Sequence, residues 1–238
     1  MIEVAVPNNM VPVTEQQKKK KNKNRTIIQA EPVIVADPEI VRSPLENAQL
    51  ICFFLAIFSL VVYGRSLSNG FVDYDDHQYI TDNQHVKSGL SAATIRWSFT
   101  SFEAGNWHPL TWISHAFDVQ VFGLAPAGHH LDSMFLHMVN VVLLFFLLWK
   151  ATSARGPSLI VAALFAVHPL NVECVAWAAE RKSLLCTVFF FLAIGCYGWF
   201  VKRPSVSRYL ALTLLFACGL MAKPMVCLLY TSPSPRDR

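Results

Sequence analysis

A short acidic segment is the first feature of this sequence that could carry chemistry. Asp73, Asp75 and Asp76 place three carboxylates within four positions of the string Phe71–Ile80. Carboxylates this close repel one another. Such a group can act as a general base or bind a divalent cation. The alternative is a solvated loop in which an aspartate caps the next helix, and the spacing alone leaves both readings open.

The segment that follows is rich in histidine and tryptophan. Seven of the eight histidines lie between His77 and His137, and residues 106–118 read Asn-Trp-His-Pro-Leu-Thr-Trp-Ile-Ser-His-Ala-Phe-Asp. Tryptophan rings suit a membrane interface, and they equally suit stacking against a sugar or an isoprenoid chain. The histidines could bind zinc, but no tight His-x3-His spacing supports this. We therefore assign no metal ligand from the sequence.

Two further polar segments interrupt apolar runs at a proline. One is His168–Lys182, which contains His168-Pro169 and several charged residues, and the other is Lys223-Pro224. Proline breaks a helix, and a broken helix in a membrane is tolerated only where it faces protein or a watery cavity. These charges can join the acidic segment in a site for an anionic lipid head group. Alternatively, they can pair with one another as a surface cap.

The composition indicates that helices in a bilayer must position these residues. Of the 238 residues, 53% are hydrophobic and 15% are charged, whereas an average soluble domain has about 25% charged residues. Long apolar runs and 17 phenylalanines exclude a wholly disordered chain. The net charge of +4 arises from short basic clusters beside apolar runs, so nucleic-acid binding is not indicated. The sequence predicts an all-α membrane protein, built as a multi-span helical bundle.

Five apolar segments are predicted to cross the membrane, because about 20 helical residues span its hydrocarbon core. Residues 1–47 are predicted to form a disordered cytoplasmic tail, and residues 48–229 a partial membrane domain. Residues 65–133 are predicted to form a long first extracytoplasmic loop. Residues 230–238 resemble translated adapter sequence and are predicted to be a non-native tail. The predicted spans are 48–64, 134–149, 158–178 (broken at Pro169), 183–201 and 209–229.

The distribution of basic residues predicts the orientation of these spans. Lysine and arginine are concentrated in the N-terminal tail and in the turns 150–157 and 202–208, and neither turn contains an acidic residue. The N-terminus and both turns are therefore expected in the cytoplasm. Alternation of the spans then places every unusual polar segment on the opposite, extracytoplasmic face. The polar segments can form one site only if they lie on the same side of the membrane.

Five segments, in the same order, resemble the membrane half of the TMTC-type transmembrane and tetratricopeptide-repeat proteins, in particular their bacterial relatives. The resemblance covers about residues 46–227 and implies the GT-C glycosyltransferase fold. It also implies that the chain is the N-terminal part of a longer protein, with more spans and then tetratricopeptide repeats, neither of which this chain contains. The five segments are Phe71–Ile80, Asn106–Asp118, His129-His130, His168–Lys182 and Leu220–Met225.

The resemblance implies a membrane enzyme, a protein O-glycosyltransferase similar to mannosyltransferases. Such an enzyme moves a sugar from a polyprenyl-phosphate donor to Ser or Thr hydroxyls of an acceptor protein outside the cytoplasm. It implies Asp75 or Asp76 as the catalytic base. No cofactor is assigned, although a divalent cation is compatible with the acidic segment. The substrate-binding residues that the resemblance implies are His108, His115, His129, His168, Glu173, Glu180, Arg181, Lys182 and Lys223.

Two other functions remain compatible with the residues. A non-catalytic membrane anchor could display tetratricopeptide repeats to partners, and a transporter or metal-handling protein could use the histidines and intramembrane polar groups. Transport is disfavoured because the polar segments are predicted at one membrane face, whereas transporter sites lie near the midplane. The expected location is a bacterial inner membrane, or the endoplasmic reticulum in a eukaryote. Membrane lipids are expected partners, and nucleic acid is not.

Overall fold

The computed structural model describes residues 44–224, with side chains from residue 48 onward. The predicted tail 1–47, the end of the fifth predicted span and the predicted tail 230–238 lie partly or wholly outside the described residues. Within the described part, all regular elements are helices, as predicted for an all-α protein. The α-helices are α1 (Pro44–Tyr63), α2 (Gln84–Lys87), α3 (Ala92–Thr100), α4 (Pro109–Phe122), α5 (Pro126–Thr152), α6 (Arg155–Ala166), α7 (Leu170–Ala176), α8 (Arg181–Lys202) and α9 (Val206–Ala222).

Three helical stretches are long and apolar enough to cross a membrane. They are Ala48–Ser68, Pro126–Thr152 and Ala178–Lys202, of 21, 27 and 25 residues, and a helix rises about 1.5 Å per residue. The side chains of Phe53, Phe54 and Val61 are 60%, 63% and 74% exposed. Apolar surface on this scale requires a nonaqueous neighbour. The fold is therefore that of an integral membrane protein.

The segment after α5 forms a bent pair of helices. Helices α6 and α7 meet at an angle of 60°, and Pro169, which has no backbone N–H, precedes the first residue of α7. The carbonyl groups freed by the bend are satisfied, because Asn171 donates to the oxygen of Phe165 and His137 lies 3.0 Å from the oxygen of Ala166. The side chains of Asn171 and His137 thus stabilise the bend between α6 and α7.

Helix α5 begins eight residues earlier than the predicted second span. Its first residue is Pro126 rather than Met134, because proline has a backbone angle suited to the first helical turn. Gly123, with φ of 64°, ends α4 and turns the chain into α5. His129 and His130 consequently lie on a helix, whereas the sequence placed them in the long loop.

The bundle is arranged around α5, which contacts α1, α6 and α8. Val141 and Phe145 of α5 pack against Leu55 of α1 and against two alanines of α6 in one buried cluster. At the other end of α5, Tyr63, Met134, Val175 and Leu184 form a second cluster. The end of α1, the start of α5 and the start of α8 therefore lie at the same end of the bundle.

Helices α2 to α4 form a cap at that end. Tyr79, Val86 and Trp112 are buried there together with Ala178 and Ala179, which lie three and two residues before α8. Thr111 of α4 donates a 2.9 Å hydrogen bond to the oxygen of Ala222, the last residue of α9. The cap thus connects the long loop to α8 and α9.

Candidate functional site

The two aspartates predicted as catalytic bases occupy different environments. Asp76 is fully buried, and its two carboxylate oxygens accept backbone N–H bonds from Val72 and Ala179, both of 2.8 Å. Asp75 keeps 30% of its side-chain surface exposed and lies 3.5 Å from the ammonium nitrogen of Lys182. Asp73, the third carboxylate, is fully exposed and pairs with His77. Asp75 is therefore the partly exposed acid of the pair and lies beside a cation.

Glu180 lies at the centre of a polar network at the start of α8. It pairs with Lys182 at 3.1 Å and with Lys223 at 2.6 Å, and it accepts a hydrogen bond from Ser183. Lys223 also donates to the hydroxyl of Ser183 at 2.7 Å. The network brings together four residues that the sequence predicted for the site: Asp75, Glu180, Lys182 and Lys223.

Aromatic side chains surround Lys182. Its ammonium lies 4.8 Å from the ring centre of Tyr79 and 5.7 Å from that of Trp177. Tyr74, which is 72% exposed, lies beside Trp177 with ring centres 5.9 Å apart. Burial, followed by the nearby carboxylates of Asp75 and Glu180, raises the pKa of Tyr79 to about 12. The Tyr79 phenol is therefore neutral at physiological pH, and Tyr74 is the ring available for stacking.

Arg181, predicted to bind substrate, is fully buried and engaged by protein groups. It forms ion pairs with Asp118 and, at 3.3 Å, with Asp132, and it donates to the backbone oxygen of His129 at 2.6 Å. Further contacts reach Ser133 and the oxygen of Ser114. This guanidinium fixes α8 against α4 and α5 and has no exposed surface.

Three histidines predicted to bind substrate are also buried. His108 stacks on Tyr79 with ring centres 5.3 Å apart, while His115 and His129 lie beneath it with no exposed surface. Burial, followed by the charges of Lys182 and Lys223, lowers the pKa of His108 to about 4. Burial, followed by Arg181, lowers the pKa of His115 well below its usual value. The structure places these rings behind the Glu180 network rather than within it.

His168 and Glu173, the last two predicted substrate-binding residues, are exposed. The imidazole of His168 accepts a hydrogen bond from the backbone N–H of Leu170 and so caps α7. Within residues 44–224, no hydrogen bond or ion pair joins either side chain to the Glu180 network. The structure therefore leaves both residues outside the cluster.

Two intramembrane polar residues connect helices. His137 lies 3.0 Å from the oxygen of Ala166, and Asn140 donates at 3.0 Å to the oxygen of Leu184. Buried polar side chains in membrane proteins commonly make such interhelical bonds. These contacts hold α6 and α8 against α5 and position the start of α8.

Sequence reasoning missed several residues that shape the site. Ser183 and Tyr79 carry no distinctive signal, since hydroxyl and aromatic side chains are common throughout the chain. Asp118 had a usable signal, because it follows His115 by three positions and such residues share one face of a helix. His115, Asp118 and His129 offer ligand atoms within 4.8 Å of one another, so they form a candidate metal-binding group in the described part of the chain.

The fold and the polar network define a class: a helical integral membrane protein with a partly exposed carboxylate beside a lysine at one end of its bundle. Sequence comparison then identifies relatives. The chain is 30% identical over 212 residues to the protein O-mannosyl-transferase TMTC1 of Mus musculus, covering 77% of this chain and 22% of the relative. It is 32% identical over 173 residues to Tmtc1 of Drosophila melanogaster, covering 68% of this chain and 20% of the relative.

A third relative is the human protein O-mannosyl-transferase TMTC4, which is 31% identical over 195 residues. That match covers 71% of this chain and 26% of the relative. The chain is thus a homologue of the TMTC-type protein O-mannosyl-transferases, as its motifs predicted. It spans about a quarter or less of the length of these relatives. No protein-family model matches the chain, and no solved structure does.

Proposed function

We propose that this chain is the membrane part of a glycosyltransferase that moves a sugar, mannose, from a polyprenyl phosphate to Ser or Thr hydroxyls of proteins. The observation that carries the proposal is the partly exposed carboxylate of Asp75, 3.5 Å from Lys182, within a network that also holds Lys223. The mouse, fly and human relatives, each named a protein O-mannosyl-transferase, support the same reaction.

In the proposed reaction, Asp75 accepts the proton of the acceptor hydroxyl. The hydroxyl oxygen then forms a bond to the anomeric carbon of the sugar, with inversion. The bond from that carbon to the phosphate oxygen breaks, and its electron pair leaves with the polyprenyl phosphate. The ammonium groups of Lys182 and Lys223 stabilise the charge that develops on this phosphate. Tyr74 stacks against the sugar.

The two predicted bases have different roles in this proposal. Asp76 holds the acidic loop to the start of α8, since both of its oxygens accept backbone N–H bonds. A carboxylate so engaged has less capacity to accept a substrate proton than Asp75. Arg181 likewise acts by positioning, because its guanidinium is buried among Asp118 and Asp132.

An apolar groove between two helices is an argument for a donor that carries a polyprenyl chain. A cavity of about 560 Å³ lies between α8 and α9. Phe216 in its wall precedes Lys223 by seven residues, which is about 10 Å along a helix. A phosphate at Lys223 would place the attached isoprenoid chain near this groove. The lining residues are Ala193, Ile194, Tyr197, Tyr209, Leu212, Thr213 and Phe216.

The acceptor side of the site is proposed to face away from the cytoplasm, in the lumen of the endoplasmic reticulum or in the bacterial periplasm. The basic turns that follow α5 and α8 lie at the other ends of those helices from the Glu180 network, as the bounds of the helices require. Concentrated lysine and arginine favour the cytoplasmic side, which supports this orientation.

The test is sugar transfer by the full-length parent carrying Asp75→Asn. We expect transfer from polyprenyl-phosphate mannose to a Ser/Thr-rich acceptor to fall at least about 100-fold, the range of a lost general base. Asp73→Asn is the matched control, because Asp73 lies in the same loop but is fully exposed and paired with His77. It should retain the activity of the parent within about twofold.

Undiminished transfer by Asp75→Asn would overturn the role of this carboxylate. A parent that neither binds nor consumes the donor would instead support the non-catalytic anchor. Lys223→Gln tests the phosphate contact separately. Loss of that contact should raise the concentration of donor needed for half-maximal transfer or lower the rate of transfer.

A further inference from the structure

A second group of polar residues lies beneath the Glu180 network. His115 and Asp118 are three positions apart on α4 and therefore share one face of that helix. His129 belongs to the first turn of α5. All three side chains are fully buried, and each offers a ligand atom within 4.8 Å of the other two.

The hydrogen bonding of this group is incomplete, and its unpartnered atoms are ones that can bind a cation. Neither ring nitrogen of His115 has a hydrogen-bond partner. Buried polar atoms without hydrogen-bond partners are uncommon in native proteins, and a bound ion or water is one way in which they are satisfied. Oδ1 of Asp118 is also buried without a hydrogen-bond partner.

His129 adds a geometric constraint. Its Nε2 lies 3.3 Å from the carbonyl oxygen of Gly123, which can only accept, so Nε2 carries the proton. Its Nδ1 lies 3.2 Å from a carboxylate oxygen of Asp118. Two lone pairs facing each other at this distance repel unless a cation or a proton lies between them. A proton would satisfy His129 and Asp118 but leave both nitrogens of His115 unpaired, whereas a metal ion would take one ligand atom from each of the three residues.

The local charge is compatible with a cation. Asp118 and Asp132 contribute two negative charges, and Arg181 contributes one positive charge by pairing with both. With neutral imidazoles, the pocket carries a net charge of −1 before any ion binds. Arg181 also orients the carboxylate of Asp118, which is the role that outer-sphere hydrogen bonds have in metal sites.

We propose that His115, Asp118 and His129 bind one zinc-class transition-metal ion. Two neutral imidazoles and a carboxylate are ligands that Zn²⁺ prefers, at about 2.0–2.2 Å from the ion. Tetrahedral ligands at those distances lie about 3.4 Å from one another, so small side-chain rotations close the present group around an ion. The ion connects α4 to α5 and, through Asp118, holds Arg181 and the start of α8 in place.

The experiment is a metal analysis of the full chain purified in detergent, after loading with Zn²⁺ and removal of unbound ion. We expect about one zinc per chain, and at least tenfold less in His115→Gln and His129→Gln. His130→Gln is the matched control, because His130 is the buried neighbour of His129 but contacts the oxygen of Gly70. The His130→Gln chain should still bind about one zinc.

Cobalt provides a second readout that needs no variant. Co²⁺ added to the metal-free chain should give the visible absorption bands of a tetrahedral site, and Zn²⁺ should abolish them. A folded chain that shows no cobalt bands and holds less than about a tenth of an equivalent of zinc would overturn the proposal. Equal zinc in the chain and in a folded His115→Gln would also overturn it. Neither measurement uses a sugar donor, so failure here is distinct from failure of the proposed transferase activity.

Discussion

Neighbouring residues of like charge have different roles in this protein because a helix turns about 100° per residue. Arg181 points inward to Asp118 and is fully buried. Lys182, the next residue, points outward to Asp75 and Glu180. The two adjacent aspartates divide in the same way, since Asp76 is buried and Asp75 is not. At the scale of the residue, burial separates structural charges from those available for chemistry.

The anchoring role of Asp76 predicts a loss of stability. Asp76→Asn keeps one acceptor oxygen and turns an amide N–H toward a backbone donor, so the N–H of Val72 or of Ala179 loses its partner. Such a loss costs about 1–3 kcal/mol. The measurement is thermal unfolding of the purified chain in detergent, with Asp73→Asn as the exposed control. Equal midpoints for Asp76→Asn and the control would contradict this role.

At the scale of the element, the corner between α4 and α5 has unusually little space. A Cβ atom added to Gly128 would lie 2.4 Å from the Cβ of Phe122 and 2.3 Å from its ring. Rotation of the Phe122 side chain cannot relieve a contact with its own Cβ. The corner also carries His129, so the close approach of the two helices positions the buried polar group.

Gly128→Ala is therefore expected to destabilise the chain by about 1–3 kcal/mol, the usual cost of overpacking. Gly198→Ala is the matched control, because Gly198 lies in α8 with no atom within 4 Å of the added Cβ. There, alanine should be neutral or stabilising by up to about 1 kcal/mol. Thermal unfolding in detergent measures both changes. A Gly128→Ala chain as stable as its Gly198→Ala counterpart would show that the corner can open without cost.

At the scale of the whole molecule, the bundle gathers the polar segments at one end. The loop after α1, the bend between α6 and α7, the start of α8 and the end of α9 meet there, as the Lys182–Asp75 and Lys223–Glu180 pairs show. The turns after α5 and α8 lie at the other ends of those helices. A shared aqueous compartment for the polar end follows if the spanning helices cross the bilayer.

Labelling with a membrane-impermeant thiol reagent tests this arrangement in sealed vesicles. Tyr74→Cys and His168→Cys replace exposed residues at the polar end, and Ser205→Cys replaces an exposed residue in the turn between α8 and α9. We expect the first two to react from the same side and the third only from the other. Labelling of the unchanged chain gives the background from its native cysteines. Reaction of positions 74 and 168 from opposite sides would contradict the shared site.

The sequence by itself determined the class of protein, its homology to the TMTC-type proteins and the segments that form the polar end. The length of apolar segments, the positions of prolines and the order of motifs are properties of the chain itself, so they can be recognised without coordinates. Only the tertiary structure decided that Asp75 is accessible while Asp76, Arg181 and His115 are buried. It also brought His129 to His115 and Asp118 by starting α5 at Pro126. Burial and ligand geometry depend on how distant helices pack, and no pattern along a single chain specifies that packing.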